Sequence, residues 1–346
     1  MKVAVIGTID ESHKEVSGQY DRTEIVKNGL VQRGYEVDFV NMMNWKRHPF
    51  KLLMSIVRAY FHCDIFVFLA SLNGTRLVLI TLYLLRFLKK RKAYQIAIGG
   101  MGNCIFVKEY TFYNKQIKKL DAVFVEIKSM IKAYAEANIN NTVYLPNCKH
   151  LRLNEVKQAP SFDRPYRFCT YSRVTPEKGI EEAINAVKTL NEEKGPGYCT
   201  LDIYGTFLEE DKEWFENLMK EAPQYITYKA RINRDDSIKV LSQYDLMLFF
   251  TTHTGEGVPG GLIDSYEASL PIISYDTSFM KDIVKDNYTG FIVDTPSQEG
   301  IVKTILHYTE GMSIDEKIQI RKNCLAEAAQ FDTESVLDTL CSTISK

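Results

Sequence analysis

With 346 residues, 45% of them hydrophobic, the chain can bury two cores, so two domains of ordinary size are expected. The formal net charge of −1 gives no reason to expect a nucleic-acid partner, but residues 1–150 carry 22 basic and 12 acidic side chains and the remainder 21 and 32. Seven scattered cysteines, at positions 63, 104, 148, 169, 199, 324 and 341 with no C-x-x-C pair, argue against a disulfide framework and a structural zinc and suit a reducing cytoplasm.

Residues 2–7, Lys-Val-Ala-Val-Ile-Gly, read as a buried parallel strand; Val3-Ala-Val-Ile6 is too short for a signal peptide's apolar core. The loop through Gly18-Gln19-Tyr20-Asp21-Arg22-Thr23 feeds a helix ending near Arg33-Gly34, and residues 35–40 give the next strand. This is a βαβ unit without the G-x-G-x-x-G of a dinucleotide site. Trp45-Lys-Arg-His-Pro-Phe50 and Lys51-Leu-Leu-Met-Ser-Ile-Val-Arg58 mix aromatic, basic and aliphatic side chains ahead of a strand over 64–69. The apolar run 77–88, closed by Lys89-Lys-Arg-Lys92, falls short of the ~20 residues that span a bilayer. It is either a crossover helix with a cationic last turn or part of a surface that touches lipid headgroups. The basic half as a whole leaves a similar choice: an anionic membrane partner, or solvated faces that differ by chance. Residues 93–98 form a strand ending in Gly99-Gly100-Met-Gly102. A strand over 123–126, a helix to Ala137 and residues 142–147 complete the domain; the polar stretch 148–165, with Pro160 and Pro165, reads as a linker.

The second half opens with a strand over 166–171 and the turn Ser172-Arg173-Val-Thr-Pro-Glu177-Lys178-Gly179, with a helix from Ile180. Two cations five residues apart can converge on one diphosphate, arginine as a fork and lysine as a point charge. A strand ends in Gly205, a helix covers 209–221, and a strand over 226–229 runs into the turn Lys229-Ala-Arg231-Ile232. Residues 245–252 read as a buried strand. Then come Glu256-Gly-Val-Pro-Gly-Gly-Leu-Ile-Asp264, Ser269-Leu270-Pro271 and a strand over 272–275, a strand–loop–helix–strand unit. Pro259 suits a first helical position, and Gly260 and Gly261 leave the amides of the helix start open to an anion, phosphate above all. Glu256 and Asp264 can accept hydrogen bonds from hydroxyls beside that anion. Phosphate donors next to hydroxyl acceptors describe a nucleotide-sugar site. Residues 316–344 are mostly helical.

These two motifs, Glu256 to Asp264 followed by Ser269-Leu270-Pro271 and Arg173 followed by Glu177-Lys178-Gly179, resemble the signatures of the retaining glycosyltransferases of family four, the group 1 glycosyltransferases of bacterial surface-polysaccharide type. The resemblance implies an α/β GT-B fold: two Rossmann-like parallel-sheet domains facing across a cleft. Residues 1–150 would form the acceptor-side domain, 151–165 the linker, 166–325 the nucleotide-sugar domain, and 326–346 a helix returning to the first. It implies a nucleotide-diphosphate sugar donor, UDP-sugar favoured, and a saccharide or lipid-linked oligosaccharide acceptor. Arg173 and Lys178 would support the leaving diphosphate, Glu256 the sugar hydroxyls and Asp264 the ribose. Gly205, Gly257, Gly260 and Gly261 would line the donor, and Lys229 and Arg231 the base; Gly18 and Gln19 either meet the donor phosphates or lie in a solvent loop. No cofactor beyond the co-substrate and no divalent metal is expected, since nothing resembles an Asp-x-Asp site. The family's histidine after the strand at 93–98 is replaced by glycine here, and none of the six histidines (13, 48, 62, 150, 253, 307) stands in a catalytic pattern; His253, near Glu256, is the one to test. The expected location is cytoplasmic, or peripheral on the inner face of the plasma membrane. Two other readings share the fold: a sugar-nucleotide epimerase and an inactive nucleotide-sugar-binding module.

Overall fold

Five four-residue apolar runs are strands buried along their whole length, the pattern of parallel sheets covered by helices on both faces. The computed structural model describes residues 1–10, 18–153, 160–277 and 279–346, so part of the linker over 148–165 and His13 lie outside the described residues. The chain divides into two units. The first comprises Met1–His150, Gly255–Pro259 and Gln330–Lys346; the second comprises Leu151–Thr254 and Gly260–Ala329.

In chain order, unit 1 contains β1 (Lys2–Gly7), α1 (Gly18–Gln32), β2 (Glu36–Asn41), α2 (Pro49–His62), β3 (Ile65–Phe68), α3 (Leu72–Leu85), β4 (Lys92–Ile96), α4 (Met101–Glu109), α5 (Thr111–Ile117), β5 (Ala122–Val125), α6 (Lys128–Glu136) and β6 (Thr142–Tyr144). Its sheet is parallel, in the order β2-β1-β3-β4-β5-β6, and reverses direction between β1 and β3. Unit 2 contains β7 (Tyr166–Tyr171), α7 (Ile180–Lys194), β8 (Cys199–Tyr204), α8 (Lys212–Lys220), β9 (Ile226–Ala230), α9 (Ser237–Leu241), β10 (Leu246–Phe249), α10 (Gly260–Glu267), β11 (Ile272–Tyr275), α11 (Met280–Ile283), β12 (Gly290–Val293), α12 (Gln298–Leu306) and α13 (Ile314–Ala328). Its parallel order is β12-β11-β10-β7-β8-β9, with the reversal between β10 and β7.

The last helix, α14 (Thr333–Ile344), belongs to unit 1. Its Val336, Leu337, Leu340 and Ile344 are buried in one cluster with Val3, Val5, Val26 and Ile65. Arg33 ties its outer face by pairing with Glu334 and Asp338. Among the described residues no helix is long and apolar enough to cross a membrane.

Several boundaries differ from the sequence reading. The strand read over 245–252 is only Leu246–Phe249, because pairing with β11 ends at Phe249 while Phe250 and Thr251 stay buried without it. The helix expected over 77–88 is Leu72–Leu85, so Phe87 and Leu88 fall beyond it, and Lys92 opens β4 instead of closing a cationic turn. The helix expected over 209–221 starts as a 3-10 turn, Glu209–Asp211, before α8.

Candidate active site

In unit 2 the crossovers leave β7 and β10 in opposite directions, which opens a crevice at the carboxyl ends of these two neighbouring strands. The sequence places its most telling residues there. Ser172 and Arg173 follow β7 directly, and α10 begins after the segment that leaves β10. Pro259 immediately precedes the helix and does not open it: the first helical residue is Gly260. A side chain on Gly261 would stand 2.6 Å from the Tyr171 carbonyl oxygen, so glycine is what lets α10 press against the end of β7. Gly205 plays the same part at the end of β8: with φ 147° its Cα lies against the Ser172 carbonyl, where any Cβ would collide. At the other end of α10, Ser269 takes the left-handed cap (φ 58°), and Leu270 N–H closes the turn on the Ser265 carbonyl.

Lys178 lies in a 3-10 turn, Pro176–Lys178, and is buried. The turn is held by β10's exit: Thr252 N–H donates to the Glu177 carbonyl at 2.9 Å, Thr251 Oγ1 donates to it at 3.2 Å, and His253 Nδ1 lies 2.9 Å from the Glu177 carboxylate. Burial first, and the Arg173 charge second, push the Lys178 ammonium down to about 8, with Glu177 opposing. Burial and the neighbouring Arg173 charge both act against the Lys178 ammonium. An anion between them would relieve the repulsion. Lys178 is mostly charged below about 8 and loses its proton as pH rises through that value, well before the 10.5 of an ordinary lysine. If it binds a diphosphate, kcat/KM for the donor should fall about tenfold per pH unit above that point. In Lys178→Arg, which keeps its charge, the profile should be flat to pH 10. A wild-type profile flat to pH 10 would detach Lys178 from the donor.

Within unit 1, Glu256 and Gly257 belong to the segment Gly255–Pro259, which a buried polar network holds in place. Glu126 forms an ion pair with Arg22, and both are almost wholly buried. The second Glu126 oxygen accepts the Val258 N–H at 3.2 Å and occupies the room a Gly257 side chain would need. Asn147 Nδ2 donates to the Val258 carbonyl at 2.9 Å, Gly100 N–H donates to the Gly255 carbonyl at 3.2 Å, and Arg22 Nη2 also reaches the Leu145 carbonyl at 2.9 Å. Sequence reading missed this network. The available signal was charge at the end of an apolar strand, Val123-Phe-Val-Glu126, since buried carboxylates need partners. Glu126→Gln keeps an acceptor for Val258 but strands the Arg22 charge, and should cost ~3 kcal/mol of stability in urea unfolding. A loss under 1 kcal/mol would show the pair to be dispensable.

The remaining candidates are distributed as follows. Asp264 is buried on α10; Glu267, one turn on and also buried, accepts the Arg152 backbone N–H. Lys229 lies at the end of the sheet-edge strand β9, 3.8 Å from Asp202, and Arg231 is exposed just beyond. In unit 1, Gln19 Nε2 reaches Thr8 Oγ1 at 3.5 Å beside the end of β1, while Gly18 has open space where a side chain would go. Among the described residues no group of three or more His, Cys, Asp or Glu could hold a metal ion.

Two six-stranded parallel sheets, each flanked by helices, define a GT-B fold. Residues 152–323, just under half of the chain, match the family described as "Glycosyl transferases group 1". The chain is similar to the amylovoran biosynthesis glycosyltransferase AmsK of Erwinia amylovora, at 21% identity over 52% of this chain and 43% of that protein. It is also similar to the human GDP-Man:Man(3)GlcNAc(2)-PP-Dol alpha-1,2-mannosyltransferase, at 24% identity over 64% of this chain and 46% of that one. The alignments thus span less than half of these curated relatives. Among solved structures, Anabaena HepE in complex with UDP shares the fold with a TM-score of 0.72 and 15% identity over 100% of both chains.

Proposed function

We propose that the protein transfers a sugar, with retention, from a UDP-sugar to a saccharide or lipid-linked oligosaccharide acceptor in surface-glycan assembly. The observation that carries this reading is the pairing of Arg173 with buried Lys178 where β7 and β10 diverge, beside the start of α10. Cations and helix-start amides that met a diphosphate in this crevice would stabilise it as its charge develops. Glu256 would accept hydrogen bonds from donor-sugar hydroxyls and Asp264 from the ribose. Uridine is supported by HepE, also solved with UDP-glucose. The AmsK name supports a polysaccharide acceptor.

A thermal-shift panel of nucleotide sugars tests the donor, because a ligand that binds only the folded state raises Tm by mass action. A UDP-sugar should give the largest shift, and slow UDP release should follow. Labelled sugar that is isomerised and never leaves the nucleotide would mark an epimerase, and binding without any turnover an inactive module. Asp264→Ala should raise the donor KM much more than it lowers kcat, since the ribose is held alike in ground and transition states. An unchanged KM would remove Asp264 from the site.

A further inference from the structure

We infer that the outward faces of α2 and of the end of α3 form a docking surface for an anionic lipid bilayer. The inference rests on the proposed function only for its biological sense, a lipid-linked acceptor; its test needs no turnover.

Helix α2 is apolar on two opposite sides. Leu52, Ile56, Ala59 and Tyr60 face the core and are buried. Phe50, Met54, Val57 and Phe61 recur at i, i+4, i+7 and i+11, a stripe ~60° wide on the helical wheel. Phe50 is 81% exposed, Met54 69% and Phe61 49%. A helix apolar on both sides is expected inside a core or a membrane, not at a water surface. The same pattern continues at α3, where Ile80 and Leu84, then Phe87 and Leu88 just beyond its end, are exposed. Successive right-handed crossovers from β2 to β3 and from β3 to β4 set α2 and α3 in one helix layer, and the two helices touch. Among the described residues of unit 2 the large exposed apolar ones are only Leu208, Tyr288 and Ile314, scattered singly.

Charge selects the occupant. Residues 42–92 hold ten lysines and arginines and a single acidic residue, Asp64, which Arg91 already binds. Arg91 also spends its guanidinium on the Tyr60 and Phe61 carbonyls, so it does not count among the lipid-facing cations. Lys51 and Arg58 border the stripe, while Lys46, Arg47, Lys89 and Lys90 stand exposed at the helix ends. A second copy of the chain would bring these like charges together. An anionic bilayer accepts both features at once: aromatic and aliphatic side chains enter the headgroup region while the cations meet phosphates.

Co-sedimentation with phosphatidylcholine vesicles, with and without phosphatidylglycerol, tests this. The protein should bind only the mixed vesicles, and less at high salt. The triple variant Phe50→Ser, Met54→Ser, Phe61→Ser should lower the partition coefficient ~100-fold or more, because three inserted side chains are lost. These positions are exposed, so an unchanged urea midpoint should accompany the loss. In a Trp214→Phe background Trp45 is the only tryptophan, and its emission should shift to the blue with mixed vesicles. Three results would overturn the inference: no binding to mixed vesicles at low salt, equal binding to phosphatidylcholine alone, or full binding by the triple variant. A wild-type dimer that becomes monomeric in the triple variant would give the face to a second copy. Vesicle binding by a protein that fails to turn over any nucleotide sugar would sink the transferase reading and leave this one standing.

Discussion

Alanine at Lys178 is expected to lower kcat for sugar transfer ~100-fold or more while leaving the unliganded protein close to wild type in stability. Activity and stability separate because the same features act on them in opposite directions. Without a ligand, the Lys178 ammonium lies buried beside Arg173, and both burial and that neighbour disfavour its charge. Removing it relieves both costs, which offsets the lost contact with the Phe249 ring. With a diphosphate leaving group, the desolvated cation faces developing negative charge, where a fixed donor is worth ~3 kcal/mol. Arg173→Ala should lower kcat by a similar factor; Arg173 is exposed, so its removal should barely move Tm. Donor turnover and ligand-free thermal unfolding, measured on one preparation of each variant, check both halves. A kcat within tenfold of wild type for both variants would place the diphosphate elsewhere.

The second large effect concerns Glu256. Retention could proceed through a glycosyl ester on a carboxylate, or by attack and departure on one face with the leaving diphosphate taking the acceptor's proton. Glu256 belongs to a segment pinned by backbone hydrogen bonds to Glu126 and Asn147, and its proposed role is to accept hydrogen bonds from sugar hydroxyls. Glu256→Ala should therefore cost ~100-fold in kcat, the scale of losing a well-placed transition-state hydrogen bond. Glu256→Gln, which still accepts, should retain several times more activity than the alanine variant. A nucleophile would lose nearly everything in both. NMR assignment of the product anomer completes the experiment: an inverted product or a trapped ester on Glu256 would refute the one-face mechanism and leave the diphosphate site intact.

The parts of the fold legible in the sequence were those encoded locally. Buried parallel strands announce themselves as apolar runs, and Val3-Ala-Val-Ile6 and Ile272-Ile-Ser-Tyr275 both fall within strands. The Arg173–Lys178 turn was legible as a pair of cations, but not as a crowded pair, because crowding depends on burial of Lys178, whose ammonium stands against the Phe249 ring at the end of β10. Gly205 and Gly261 were read as room for a ligand; the structure gives their missing side chains a further reason, the carbonyls of Ser172 and Tyr171. Those carbonyls lie far away in sequence, and no local pattern reports them. The Arg22–Glu126 pair was illegible for the same reason, since its members stand 104 residues apart. The exposed stripe on α2 was legible only as a mixed composition; its two faces separate once Leu52 and Ile56 are known to be buried.

The central claim is that the crevice at the ends of β7 and β10 binds a nucleoside diphosphate through Arg173, Lys178 and the start of α10. Calorimetric titration with UDP and with uridine tests it most directly, because the two ligands share a base and ribose and differ only in the diphosphate. The account predicts that wild type binds UDP ~100-fold or more tightly than uridine, and that this difference nearly vanishes in an Arg173→Ala, Lys178→Ala double variant whose uridine affinity is unchanged. Equal affinities for UDP and uridine in wild type, or a preference for UDP that survives in the double variant, would contradict it.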